Sequence, residues 1–322
     1  MPLLKSTFSP TLPFRNSHFN TIYRALFTKE TVTYTRKRIT TWDQDFIDLD
    51  FSLVGSKTLT ILIHGLEGSS QSKYMLAATN ELNTEGIDAV SFNLRSCSGE
   101  DNLLLQSYHS GKTDDVHFVV NHLLVNYEYD NIVLIGYSLG GNLTLKYMGE
   151  FAKTQSSKIK CAIAVSVPID LASSGTAMSS LKNKVYMEAF LKTLRLKILE
   201  KAHKFPEFPL NKDQLFKAKT FREFDALYTA PVFGFSEPED YWEKASSKPY
   251  LQYIETPTLL ITSEDDPFLA EACYPIKEAK ASKKFYLEIT NYGGHVGFIS
   301  SFLVHQNRWL ENRMLNFIKQ NI

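Results

Sequence analysis

Short apolar runs that alternate with helical stretches constrain this chain more than any other feature. Thr58–Ile63 (TLTILI) is almost continuously apolar, so a strand built from it needs cover on both faces. Helical and strand-like segments then follow in turn: Lys73–Glu85 helix, Asp88–Leu94 strand, Thr113–Tyr127 helix, Asn131–Ile135 strand, Leu139–Phe151 helix, Cys161–Val167 strand. Thr113 stands where an N-cap belongs, with Asp114 and Asp115 favourable in the first turn. Each return from a helix to a buried strand requires a crossover, which predicts a mostly parallel sheet flanked by helices. Ahead of it, Val32–Thr41 and Phe46–Val54 read as an antiparallel pair. The alternation in DFIDLDF predicts that the pair is half-buried. Residues 1–30 carry many aromatics and little periodicity, and are expected to form a packed arm.

The alternation stops at Pro168. From about residue 170 to 250 the chain is helical and polar with no convincing strand. It resumes with strand Thr258–Thr262, helix Ala270–Ala279, strand Phe285–Ile289 and a last helix from about Val304 to Lys319. The middle stretch therefore reads as an insertion between two sheet strands, a helical cap. Its longest helix, about Leu181–His203, spaces Met187, Phe190, Leu191, Leu194, Ile198 and Ala202 at helical intervals. A length of 322 residues accommodates one large α/β domain with such an insertion, and 43% hydrophobic residues supply its core. The expected organisation is one domain over 1–322.

Charge and cysteine usage exclude several functions. Thirty-five Lys+Arg cancel 35 Asp+Glu, so no global field favours nucleic acid. Three scattered cysteines, Cys97, Cys161 and Cys273, make neither a disulfide framework nor a Cys-x-x-Cys site. No run of about 18 apolar residues exists for a membrane span, and the first residues lack a signal-peptide core. A cytoplasmic chain without metal or organic cofactor is expected.

The chemistry concentrates at Gly136-Tyr137-Ser138-Leu139-Gly140, which fits G-x-S-x-G and lies between a strand and a helix. A turn that tight strains its central residue and exposes it at the carboxyl edge of the sheet, which suits a nucleophile. Serine needs an adjacent base. Of eight histidines, only His295 lies in a glycine-bracketed loop (Gly293-Gly294-His295-Val296-Gly297) directly after the last strand. His18, His117, His122, His203 and His305 lie in the arm or in helices. An acid must orient the base. Asp266 is the first choice, Asp265 the second and Asp170 the third. The order Ser…Asp…His is that of an α/β-hydrolase arrangement. Two backbone donors for an oxyanion are assigned to the N–H groups of Leu139 and Leu66, the latter in His64-Gly65-Leu66-Glu67-Gly68. His64 has no partner at i+2 or i+4 and does not read as a metal ligand.

Six ordered motifs, from His64–Ser69 through Arg95–Glu100, Ser107–Gly111, Gly136–Asn142 and Asp265–Phe268 to Gly293–Phe298, together resemble the YheT-like branch of the α/β-hydrolase superfamily. The likeness begins near Ser17-His18-Phe19-Asn20-Thr21 and spans most of the chain. It implies an α/β-hydrolase fold and a serine esterase or lipase using Ser138, Asp266 and His295. Ser96 departs from it, since glycine is expected there.

His64, Arg95, His109 and Tyr137 are further candidates for the pocket wall, although Arg95 could equally pair with Glu100 to hold its loop. Cys97 reads as a structural thiol. Between Leu181 and Lys204 seven Lys/Arg face two glutamates. That helix is either a cap with solvated charges or a contact for an anionic membrane surface. The expected substrate is a small-molecule ester with an apolar acyl group. A thioesterase or acyltransferase would use the same residues, and a peripheral lipid-binding module would need only the basic helix.

Overall fold

In a computed structural model that describes residues 2–303 and 307–322, nine strands form one sheet. They are β1 (Leu3–Lys5), β2 (Thr35–Thr40), β3 (Phe46–Ser52), β4 (Thr58–Ile63), β5 (Asp88–Asn93), β6 (Asn131–Tyr137), β7 (Ile159–Val165), β8 (Thr258–Ser263) and β9 (Phe285–Thr290). The spatial order is β1-β9-β8-β7-β6-β4-β5-β3-β2. All neighbours are parallel except β2–β3 and β3–β5. This is the doubly covered, mostly parallel sheet that the apolar runs imply. Leu59, Ile61 and Ile63 of β4 face one helical layer and Leu62 the other, as the period of two requires. Each such fully buried side chain contributes about 1.5–3 kcal/mol.

The helices that cover the sheet are α2 (Lys73–Thr84) and α12 (Trp309–Lys319) on one face, and α3 (Thr113–Asn126), α4 (Leu139–Glu150) and α11 (Ile276–Ala281) on the other. A helix at the N-terminus, α1 (Ser17–Phe27), lies in the region expected to form a packed arm. The arm also supplies β1, which extends the sheet beside β9.

Several local expectations are corrected. β3 is buried on both faces, not one, because its aspartates are neutralised across the ladder. Arg36 and Arg38 stand opposite Asp50 and Asp48 and bind them at 2.7 and 2.8 Å. The helix expected over Ala270–Ala279 is interrupted at Pro275, which has no N–H to give. A short turn at Glu271–Cys273 precedes α11. Thr113 does not cap α3; its hydroxyl donates to Glu150 at the end of α4. The last helix begins at Trp309, and its expected start at Val304 and His305 lies outside the described residues.

Between β7 and β8 the chain forms α5 (Leu171–Met178), α6 (Lys184–Lys204), α7 (Lys212–Lys217), α8 (Phe221–Leu227), α9 (Thr229–Phe233) and α10 (Pro238–Ala245). Met187, Leu191 and Ile198 of α6 pack with Leu215, Phe224 and Tyr228 in a core of their own. The basic residues of α6 do not share one solvated face. Arg195 donates to the Ala218 carbonyl, Lys197 reaches Glu67, and Lys201 binds Asn102 and Asp101. Only Lys182, Lys184 and Lys192 of the seven cations, besides Lys204 at the helix end, are exposed.

Candidate active site

β6 ends in the sharp turn that places Ser138. Its φ of 52° is a left-handed value that costs a non-glycine residue on the order of 1–3 kcal/mol, and the surrounding packing holds it there. The turn closes because Gly140 lies against the backbone of β4: a Cβ there would overlap the Ile63 and His64 carbonyl oxygens. Ser138 stands at the N-terminus of α4, where the helix dipole favours negative charge.

His295 Nε2 lies 2.9 Å from Ser138 Oγ. Its Nδ1 lies 3.1 and 2.9 Å from the two carboxylate oxygens of Asp266, which is 4% exposed. Asp266 also accepts the Phe268 N–H, which orients the carboxylate. Three residues separated widely in sequence thus form one hydrogen-bonded relay. Asp265 does not join it: its carboxylate accepts the Gly294 N–H and so fixes the histidine loop, and burial raises its pKa. Asp170 caps α5 by accepting the Ser173 N–H.

The amides assigned to an oxyanion hole, Leu66 and Leu139, have no hydrogen-bond partner among the described residues, and both residues line the cleft. The Leu66 loop is pinned from several directions. The Tyr74 hydroxyl accepts from Gly65 N–H, and the Tyr108 hydroxyl accepts from Glu67 N–H and donates to its carboxylate. Lys197 Nζ of α6 lies 2.8 Å from the same carboxylate, tying the inserted helices to this loop.

Of the four residues assigned to the pocket wall, only His109 reaches it. There it sits among Phe233, Phe235 and Tyr241, and burial pushes its pKa down to about 3. His64 is fully buried beneath the loop, where Nδ1 lies 2.7 Å from the Gly65 carbonyl and Nε2 accepts the Leu94 N–H. Arg95 is drawn into the interior by Asp43, Asp45 and Asp115, and Glu100 pairs instead with Arg38. Tyr137 packs on Tyr74 at 4.7 Å, on the face away from the cleft. Ser96 adopts φ 63°, the conformation for which glycine is expected, and its hydroxyl donates to Asp101 at 2.7 Å. Cys97 is buried with its thiol pushed up to about 12.

The cleft over Ser138 has about 1060 Å3 of free space, its open mouth included. Inserted helices supply Met178, Phe190, Leu194, Phe221, Phe224 and Trp242 to its walls. Asp225 interrupts this apolar lining; it accepts from Thr229 and Trp242, and burial raises its pKa to about 7. Among the described residues no cluster of three or more His, Cys, Asp or Glu could hold a metal ion.

Sequence reasoning missed the support for His295 from α1. The His295 N–H donates to Thr21 Oγ1 at 2.8 Å. Asn20 bonds both the carbonyl and the amide of Ile299, and Arg24 donates to the Gly297 carbonyl and pairs with Glu311. The Ser166 hydroxyl accepts the Val296 N–H from the opposite side.

The model of the α/β hydrolase fold family matches residues 59–302. The Escherichia coli (strain K12) protein named "Putative esterase YheT" is 32% identical over 97% of this chain and 92% of its own length. Human Phospholipase ABHD3 is 28% identical over 99% of this chain and 80% of its own. Among solved structures, the Pyrococcus furiosus esterase PF2001 superposes with a TM-score of 0.60 at 20% identity, covering 90% of this chain and 91% of that one.

Proposed function

Because the chain belongs to the α/β-hydrolase fold family, we propose that it hydrolyses carboxylic esters through an acyl-enzyme on Ser138. The observation that carries this reading is the unbroken relay Ser138 Oγ–His295–Asp266, with contacts of 2.9 Å at each end. Names given to relatives, an esterase and a phospholipase, agree with it.

His295 removes the Ser138 proton as Oγ attacks the ester carbonyl. The Leu66 and Leu139 N–H groups hold the oxyanion, and the N-terminus of α4 adds its field. Asp266 holds the imidazole in the tautomer with its proton on Nδ1 and stabilises the imidazolium. The imidazolium then protonates the leaving alcohol. Water, deprotonated by His295, attacks the acyl-enzyme and regenerates Ser138–OH with release of the carboxylic acid. No metal or organic cofactor enters this sequence.

In this reading residues 1–322 act as a single α/β-hydrolase domain, with about 170–250 as a cap over the serine. The apolar walls that the cap provides suit an apolar acyl group. Three unpaired buried thiols suit a reducing, cytoplasmic setting. The test is hydrolysis of p-nitrophenyl esters from acetate to palmitate by the wild type and by Ser138→Ala. Loss of roughly a million-fold in kcat is expected. Turnover that survives the substitution removes the serine mechanism. Turnover of acyl-CoA in place of every oxygen ester moves the assignment to a thioesterase using the same residues.

A further inference from the structure

Helix α1 is amphipathic in the reverse of the usual sense. Its buried residues are polar, Asn20 and Arg24, because that side grips the backbone of the His295 loop. Its outer side carries Ile22, Leu26 and Phe27, which are 40%, 68% and 61% exposed. A helix on a water-soluble surface ordinarily buries such a stripe, and contiguous exposed apolar residues mark a surface that something else covers.

The patch extends beyond the helix. Phe302, 58% exposed, meets the Tyr23 ring at 5.8 Å. His18 stacks on Tyr186 of α6 at 5.7 Å, and next to Tyr186 stand Val185 and, one turn back, Leu181, which are 79% and 90% exposed. Tyr186 in turn packs on Phe268 at 4.8 Å, and Phe268 on His295 at 4.3 Å. The patch therefore adjoins the mouth of the cleft.

Charge identifies the occupant. Residues 1–29 contain no aspartate or glutamate, and neither do residues 171–187, although the whole chain has a net charge of zero. Lys29, Lys182 and Lys184 are exposed in these two segments. Apolar side chains rimmed by ammonium groups complement an anionic lipid surface, with the former in the acyl boundary and the latter at the headgroups. A second copy of the chain would set the same lysines against each other, since a two-fold interface uses one patch twice.

We propose that the outer face of α1 and the start of α6 dock the enzyme on an anionic lipid–water interface, from which a lipid ester enters the Ser138 cleft. The proposal takes the ester-hydrolase reading as its premise for that last step.

The test is sedimentation of the full chain with vesicles of phosphatidylglycerol and phosphatidylcholine, alongside hydrolysis of the soluble ester p-nitrophenyl butyrate. The wild type is expected to sediment with mixed vesicles and less with pure phosphatidylcholine. Leu26→Asp with Phe27→Asp is expected to cut the bound fraction about tenfold or more, with melting temperature and butyrate hydrolysis unchanged. Lys182→Glu with Lys184→Glu is expected to remove the preference for anionic vesicles and its sensitivity to salt. A wild type that stays in the supernatant, or an aspartate variant that binds as well, overturns the proposal. So does a wild-type dimer that the aspartate variant converts to monomer without any vesicle binding. Vesicle binding lost in the variant, with no ester hydrolysed even by the wild type, upholds the surface and overturns the hydrolase reading.

Discussion

Replacing Thr21 with valine is the sharpest test of how the histidine loop is held. Thr21 Oγ1 accepts the His295 N–H at 2.8 Å and donates to the Ser17 carbonyl at 2.8 Å. Valine keeps the shape and removes the oxygen. The loop has little reserve: Val296 and Phe298 sit at φ 57° and 49°, conformations that disfavour side chains of their kind by about 1–2 kcal/mol each. An N–H left without its acceptor in a part-buried position costs about 1–3 kcal/mol. If the loop absorbs that cost, the productive position of the imidazole is depopulated and kcat falls about 5- to 150-fold. KM stays near the wild-type value, because Thr21 does not itself line the cleft. Thr21→Ser retains the oxygen and restores kcat. The assay is p-nitrophenyl butyrate hydrolysis with a thermal melt of each variant. An unchanged kcat in Thr21→Val, or an equal loss in Thr21→Ser, refutes the argument. So does a loss fully explained by a smaller folded fraction.

On the same mechanism, Asp266→Asn lowers kcat about 10⁴-fold by favouring the wrong imidazole tautomer, whereas Asp265→Asn, which weakens the hold on the Gly294 N–H but leaves the imidazole its partner, costs about tenfold. A reversed ranking in steady-state kinetics exchanges their roles. Gly140→Ala forces a methyl group into the Ile63 and His64 carbonyl oxygens and destabilises the fold by about 3 kcal/mol or more. A melting temperature within about 2 °C of wild type contradicts that packing argument. Burial pushes His64 down to about 4 and His109 down to about 3. Their unfolded forms take up protons below about pH 6.5 while the folded forms do not, so stability present near neutrality is lost as pH falls toward 4. Urea unfolding at pH 7.5 and 5 should show that loss. His109→Asn should reduce the slope by about 1.4 kcal/mol per pH unit, and an unaltered slope rejects it.

What the sequence makes legible follows from what local composition can encode. A strand covered on both faces by helices must be apolar throughout, so β4, β6, β7 and β8 announce themselves and set the carboxyl edge where the site lies. The serine turn is legible because strand, tight turn and helix are adjacent in the chain. β3 reads wrongly because its burial depends on partners elsewhere. Asp48 and Asp50 look like a solvent face until Arg38 and Arg36 are placed opposite them. Arg95 fails in the same way. Its nearest acid in the motif is Glu100, but the ring of Asp43, Asp45 and Asp115 that buries it comes from 20 to 52 residues away. The inward-turned Lys197 and Lys201 likewise found acids on the sheet domain that the pattern of α6 alone does not contain.

Helix α1 lies within residues 1–30, a segment that as a whole shows little periodicity. Phe19, Ile22, Tyr23, Leu26 and Phe27 recur at helical spacing, and Asn16 caps the first turn by accepting the Phe19 N–H. Those few positions are too short a run to stand out in the segment, and a surface helix would ordinarily turn them inward. The structure turns the helix over, because its neighbour is not an apolar sheet face but the irregular loop 293–299. Left-handed residues in that loop leave backbone amides and carbonyls that no ladder satisfies, so the element packed on it must present hydrogen-bonding side chains. Satisfying the loop with Asn20, Thr21 and Arg24 leaves Ile22, Leu26 and Phe27 facing outward, while Phe19 and Tyr23 pack on Phe14. The loop that aims His295 and the exposed patch beside the cleft therefore have one physical cause. A substitution on the outer face of α1 should change interfacial binding without moving the imidazole. One on its inner face should do the opposite, as Thr21→Val and Leu26→Asp with Phe27→Asp measured side by side will decide.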